Sequence, residues 1–191
     1  MALGLAGVAV LVALISYNPA DPSLSTASAR ETTNLAGPPG AILSDLMLQG
    51  FGWAAMLPSA VALGWAWRLA THRGLAPLAG RVAAVVAALP LLSAAFHLVP
   101  AGAPTLAGPG GAVGDLLASA VLGTTGGLLG PIGNLAGQVL IVALAGSLSF
   151  AAIGVPLLTW MQMGRTAGRA AKGGAALTSS LLRRPGTPPP P

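Results

Sequence analysis

Charge is what this 191-residue chain has least of: nine Lys and Arg and four Asp and Glu make up 7% of its residues. Between Arg81 and Arg165 the only formal charge is Asp115, and Met1–Asn18 and Leu46–Trp67 carry none. A soluble domain keeps roughly a quarter of its residues charged to stay solvated, which excludes that class for most of this chain. Cysteine is absent altogether, which excludes disulfides, thiolate metal sites and cysteine nucleophiles. Aromatic residues reach only 4%, too few for a core built on large rings. The one lysine, Lys172, follows Ala170-Ala171 and precedes Gly173. No Gly-x-x-x-x-Gly-Lys-Ser/Thr loop is therefore available to cradle a nucleotide's phosphates.

Hydrophobic residues are plentiful, at 54%, and mean hydropathy is +0.78. That profile predicts an all-α membrane protein. Four spans are expected, over about 2–17, 46–67, 82–99 and 135–160. The first reads short, since sixteen residues reach only ~24 Å against a hydrocarbon core of ~30 Å. It also has no basic residue before it, as if the chain began part-way into its first span. Pro58, Pro90 and Pro156 are expected to bend the later spans.

The basic residues orient the spans. Arg68, Arg73 and Arg81 flank the short connection between spans two and three, while Arg165, Arg169, Lys172, Arg183 and Arg184 follow span four. Only Arg30 lies in the other two connections, so the positive-inside rule puts both termini in the cytoplasm and both longer loops outside. An internal repeat agrees: Leu35-Ala-Gly-Pro-Pro-Gly-Ala-Ile-Leu-Ser-Asp-Leu46 matches Leu106-Ala-Gly-Pro-Gly-Gly-Ala-Val-Gly-Asp-Leu116 with one gap. Gly37, Gly40 and Asp45 thereby correspond to Gly108, Gly111 and Asp115. Each copy precedes an inward-going span, which predicts two parallel hairpins with short interfacial helices in the outer loops. Plain Gly/Pro turns are the blander reading of the same residues.

Residues 1–163 thus read as one four-helix transmembrane domain, and 164–191 as a basic juxtamembrane segment with a Pro-rich linker. The linker is expected to lead into a soluble part. Arg165, Arg169 and Lys172 fall at helical spacing, which suits anionic headgroups and equally suits a face that only enforces topology.

The first span ends in Ile15-Ser16-Tyr17-Asn18-Pro19-Ala20-Asp21-Pro22-Ser23. Physically this is a stop, because the two prolines forbid further helix and Asp21 belongs in water. The exit motif, carried by Ser16, Tyr17, Pro19, Asp21, Pro22 and Ser23, resembles the amino-terminal four-span membrane domain of the FtsK/SpoIIIE DNA translocases. Asn34-Leu35, Gly37, Gly40-Ala41, Asp45-Leu46, Phe51-Gly52, Gly110-Gly111 and Gly114-Asp115 agree with that pattern. The chain departs from it in having no basic residues before span one and no motor. Its Leu158-Thr159-Trp160 is a degenerate form of the family's closing motif.

The resemblance implies a bacterial inner-membrane anchor that localises an ATP-driven DNA pump at the division septum. It implies division-machinery membrane proteins as partners and clustering in hexamers where the motor is attached. ATP and Mg belong to a motor outside this chain, and DNA is met only through it. No catalytic, cofactor or metal residue is expected here, and the lipid bilayer is the immediate partner.

Other classes fit less well. A serine protease would need His97 beside Ser147 or Ser149, which differ in expected depth by ~15 Å. A small transporter usually places an ionisable residue inside a span, whereas Gln49 and Gln138 are the strongest polar groups expected there. A transporter or a stand-alone membrane division factor is the alternative function. Ala27-Ser28-Ala29 resembles a signal-peptidase site, but three further spans would remain. Gly123/Gly127, Gly126/Gly130 and Gly133/Gly137 have the spacing that lets helices approach, with only Gly137 expected inside a span.

Overall fold

The computed structural model describes residues 1–100 and 102–154. Among these every regular element is helical: α1 (Ala2–Ile15), α2 (Gly37–Phe51), α3 (Leu57–Ala70), α4 (Leu78–His97) and α5 (Gly111–Ile153). A 3-10 turn, Gly52–Met56, joins α2 to α3. The stretches Gly37–Ala70, Leu78–His97 and Gly111–Ile153 are each long and apolar enough to cross a membrane, with mean hydropathies of 1.4, 1.8 and 1.9. The remaining apolar helix, α1, has 14 residues.

Small residues decide which helices meet. A Cβ at Gly4 would lie 3.3 Å from Ala66, and one at Gly7 would lie 3.1 Å from Ala62, so α1 and α3 run antiparallel at close range. Leu57, Val61, Ala84, Ala88 and Ala152 form one buried cluster joining α3, α4 and α5. Ala94, Ala118 and Ile141 form another between α4 and α5. A third, Leu14, Leu48 and Ala55, ties the end of α1 to α2 and the turn after it.

Three helix boundaries differ from those the sequence suggested. The uninterrupted span expected over 46–67 is broken at Gly52 (φ 57°, ψ −137°), a conformation that a side chain would strain. Pro58 therefore bends nothing. It occupies the first turn of α3, where its missing N–H has no helical partner to lose. The third helix begins at Leu78, four residues before Val82, and carries Pro90 in its interior.

The largest difference is α5. The helix expected from Leu135 begins at Gly111 and turns sharply at Gly130 (φ 61°, ψ −142°) ahead of Pro131. Residues 12 apart in a straight helix are ~18 Å apart. Yet a Cβ on Gly137 would sit 2.6 Å from the Thr125 hydroxyl and 3.2 Å from Leu122. The limbs 111–129 and 131–153 therefore lie back to back. Gly126, Gly133 and Gly137, of which only Gly137 was expected in a span, make that approach possible. The predicted end of span four, Pro156, the basic stripe Arg165, Arg169 and Lys172, and the Pro-rich linker lie outside the described residues.

Candidate functional site

The segment after α1 is held by two carboxylates and one amide. Ser16 caps α1 by donating to the Val12 carbonyl (2.7 Å) and accepts the Leu35 N–H (3.0 Å). Asp21 accepts from the Thr33 N–H (3.0 Å), the Thr33 hydroxyl (2.8 Å) and the Asn34 N–H (2.9 Å). Burial raises the Asp21 pKa, but these three bonds and the Arg30 charge outweigh it and hold the carboxyl below its usual value. Asn34 is itself buried. Its amide donates to the Ala13 carbonyl (2.8 Å), the Ser16 carbonyl (3.3 Å) and the Ser44 hydroxyl (3.3 Å), and its oxygen accepts the Ala36 N–H (3.0 Å).

Asp45 is the second anchor. It is 4% exposed and accepts from Tyr17 (3.1 Å), Ser23 (2.8 Å), Gln49 (2.7 Å) and the Ser25 hydroxyl. Gln49 also donates to Ser25 (2.8 Å), so it faces this polar cluster instead of a lipid-buried span. Asp21 with Asn34, and Asp45 with Tyr17 and Ser23, form two adjacent polar networks where α1 meets α2. Pro19 and Ser25 line a cleft of about 290 Å³ beside Asp45, to which Thr105 and Leu106, the first residue of the second repeat, also contribute.

The two repeat copies begin alike. Gly37 donates to the Asn34 carbonyl (2.8 Å) with φ 71°, and Gly108 donates to the Thr105 carbonyl (3.2 Å) with φ 90°. Beyond that turn they diverge. Gly40 is packed under Asn34 and Ala36, where no side chain fits. Gly111 (φ 65°) abuts the backbone of Gly50 and Gly52, and the Trp53 N–H donates to the Pro109 carbonyl (2.9 Å). Ser93 adds a bond to the Phe51 carbonyl (3.2 Å) at this junction. Asp115 meets only His97, at 3.5 Å, and its side chain is 66% exposed. Ser147 bonds the Leu144 carbonyl within its own helix.

The basic residues gather elsewhere. Arg68 donates to the Gly154 carbonyl (2.9 Å) and the Gly74 carbonyl (3.2 Å), and Trp65 donates to the Ala152 carbonyl (2.7 Å). The Arg81 guanidinium fills the space beside Gly154 that any side chain there would need. Arg73 is exposed on the connection between α3 and α4. The α1–α3 pairing runs antiparallel, so Arg68 lies near the start of α1, whereas the acidic assembly lies at its end. Among the described residues Arg68, Arg73 and Arg81 thus gather at one end of the helices, while the carboxylates and Arg30 lie at the other.

The sequence pointed to Tyr17, Asp21, Ser23 and Asp45 but not to Ser25, Ser44, Gln49 or Ser93. The Asp45/Gln49 spacing of four residues carried a readable signal, since such pairs share a helix face. The serines carried none. Among the described residues no group of three or more His, Asp or Glu could hold a metal. The arrangement orders a loop and fixes α2 against α1, with a polar cleft left open beside them.

Residues 1–169 match the family model of the 4TM region of DNA translocase FtsK/SpoIIIE. The chain is 38% identical over 167 residues to the DNA translocase FtsK of Azospirillum brasilense, covering 83% of this chain and 25% of that protein. It is 39% identical over 124 residues to that of Brucella melitensis (61% and 15%). It is 35% identical over 124 residues to that of Agrobacterium fabrum (60% and 14%). The chain therefore spans a quarter or less of the length of these relatives. No solved structure matches it. With its apolar helices and a match across nearly the whole chain, this integral membrane protein belongs to the FtsK/SpoIIIE family, of whose 4TM membrane region it is a member.

Proposed function

We propose that the chain is the non-enzymatic membrane anchor of a DNA translocase and holds an ATP-driven motor at the division septum of a bacterial inner membrane. The family match over residues 1–169 carries this reading. Charge segregation supports its orientation: the end bearing Arg68, Arg73 and Arg81 faces the cytoplasm, and the end bearing Asp21, Glu31, Asp45 and Asp115 faces outward. In this arrangement α1/α3 and α4/α5 form two hairpins of the same sense. The helix α2 turns Gly40, Ser44, Asp45 and Leu48 inward and leaves Ile42, Leu43 and Leu46 exposed. An apolar outer face over a polar inner one fits a helix lying in the outer interface.

The work done is tethering. The spans fix position, the outer assembly around Asp45 offers a rigid surface to division-machinery proteins, and the segment after Gly154 sets the motor's reach. DNA, ATP and Mg are engaged by the motor alone. Localisation of a fluorescent protein fused after Pro191 tests this. Signal concentrated at the septum is expected, and a uniform membrane signal in dividing cells would contradict it.

A further inference from the structure

The four carboxylate side chains of this 191-residue sequence are Asp21, Glu31, Asp45 and Asp115. Arg81 and Arg68 converge on Gly154 at the opposite end of the helices. Arg68 is satisfied by backbone carbonyls. The Arg81 Nε and Nη1 are buried with no hydrogen-bond partner among the described residues. Two converging guanidiniums, one with orphaned donors, are stable only where something else supplies negative charge. Among the described residues the carboxylates lie at the other end of the helices.

Immediately beside this pair runs an apolar groove of about 260 Å³ between α1, α3 and α4. Leu3, Pro58, Val61, Trp65, Val82 and Val86 line it. Val82 adjoins Arg81 on α4 and Trp65 lies three residues before Arg68 on α3, so both arginines project from helices that wall the groove. From Pro58 to Arg68 along α3 is ~15 Å. An ion alone would leave this groove empty, and a zwitterionic lipid brings its phosphate with a cation that two converging guanidiniums repel.

We propose that this is a phospholipid site selective for an anionic headgroup. Its phosphate is held by Arg81 with Arg68, and an acyl chain lies along the groove between the α1/α3 and α4/α5 pairs. A planar guanidinium can grip a phosphate bidentately through paired N–H groups. The Trp65 indole sits at the headgroup level, where such rings are favoured. The lipid would fill a gap where α3 and α4 touch little, so it also ties the two halves together. The site depends on membrane insertion and not on the anchoring role, and would survive if the septal reading failed.

Native mass spectrometry of the detergent-purified chain, titrated with phosphatidylglycerol, with phosphatidylcholine and with inorganic phosphate, tests it. Phosphatidylglycerol is expected to be retained preferentially. Arg81→Gln should lose that preference about ten-fold, as expected for charge-assisted bonds. Val86→Trp fills the groove from a position 69% exposed and should weaken phosphatidylglycerol retention while leaving Arg81 in place. Equal retention of both lipids would overturn the proposal. So would unchanged retention in Val86→Trp, or inorganic phosphate competing as well as the lipid.

Discussion

Four donors share the Asp45 carboxylate, so Asp45→Ala strands Tyr17, Ser23, Ser25 and Gln49 at once. A loss of roughly 2–3 kcal/mol in unfolding free energy is expected, within the range for bonds to a charged group. Asp115→Ala serves as the internal control. Its side chain is exposed and meets only His97, and exposed pairs contribute about 0–1 kcal/mol, so its unfolding transition in detergent should scarcely move. Asp21 adds a pH dependence. Its folded pKa lies below the ordinary 3.8, so its stabilisation is full above that value and is lost as pH falls through the lower folded one. Hydrogen exchange at Thr33 and Asn34, whose N–H groups Asp21 accepts, should accelerate in that acid window in the native chain, and Asp21→Asn should weaken that pH dependence.

Glycines govern the elements, and their neighbours determine which ones matter. Gly123 and Gly127 face open space, so Gly127→Ala should be neutral or gain up to about 1 kcal/mol from helix propensity. Gly133 sits against the Thr125 carbonyl, and Gly133→Ala should prise the two limbs of α5 apart. Gly130→Ala places a side chain at φ 61°, a cost of about 1–2 kcal/mol. A spin-label pair at the exposed Ser119 and Leu140, one on each limb, reads all three: a short separation in Gly127→Ala, and a lengthened or broadened one in Gly133→Ala and Gly130→Ala. The breaks at Gly52 and Gly130 escaped hydropathy because both lie in uniformly apolar sequence, where periodicity has no polar face to report. Gly130-Pro131 did carry a signal. Like Gly37-Pro38 and Gly108-Pro109 it is a Gly-Pro step, and all three glycines adopt positive φ. The Asn34–Asp21 and Asp45 networks escaped because a serine or amide shows its partner only once α2 is placed against α1.

At the scale of the molecule, charge scarcity made membrane class legible, and the sparse arginines made the charged ends legible. Both signals are collective and survive errors in individual helix boundaries. The packing of α5 on itself is not collective; it rests on Gly126, Gly133 and Gly137, each ambiguous in a chain with 27 glycines. The central claim is that the Asp45 assembly and the Arg68–Arg81 pair lie on opposite sides of a membrane. The absence of native cysteine allows a direct test with Ala29→Cys and Thr71→Cys, both at exposed positions. In intact inner-membrane spheroplasts a membrane-impermeant maleimide should label Ala29→Cys and leave Thr71→Cys unlabelled until the membrane is opened. Labelling of both sites, or of Thr71→Cys alone, before permeabilisation would contradict the account.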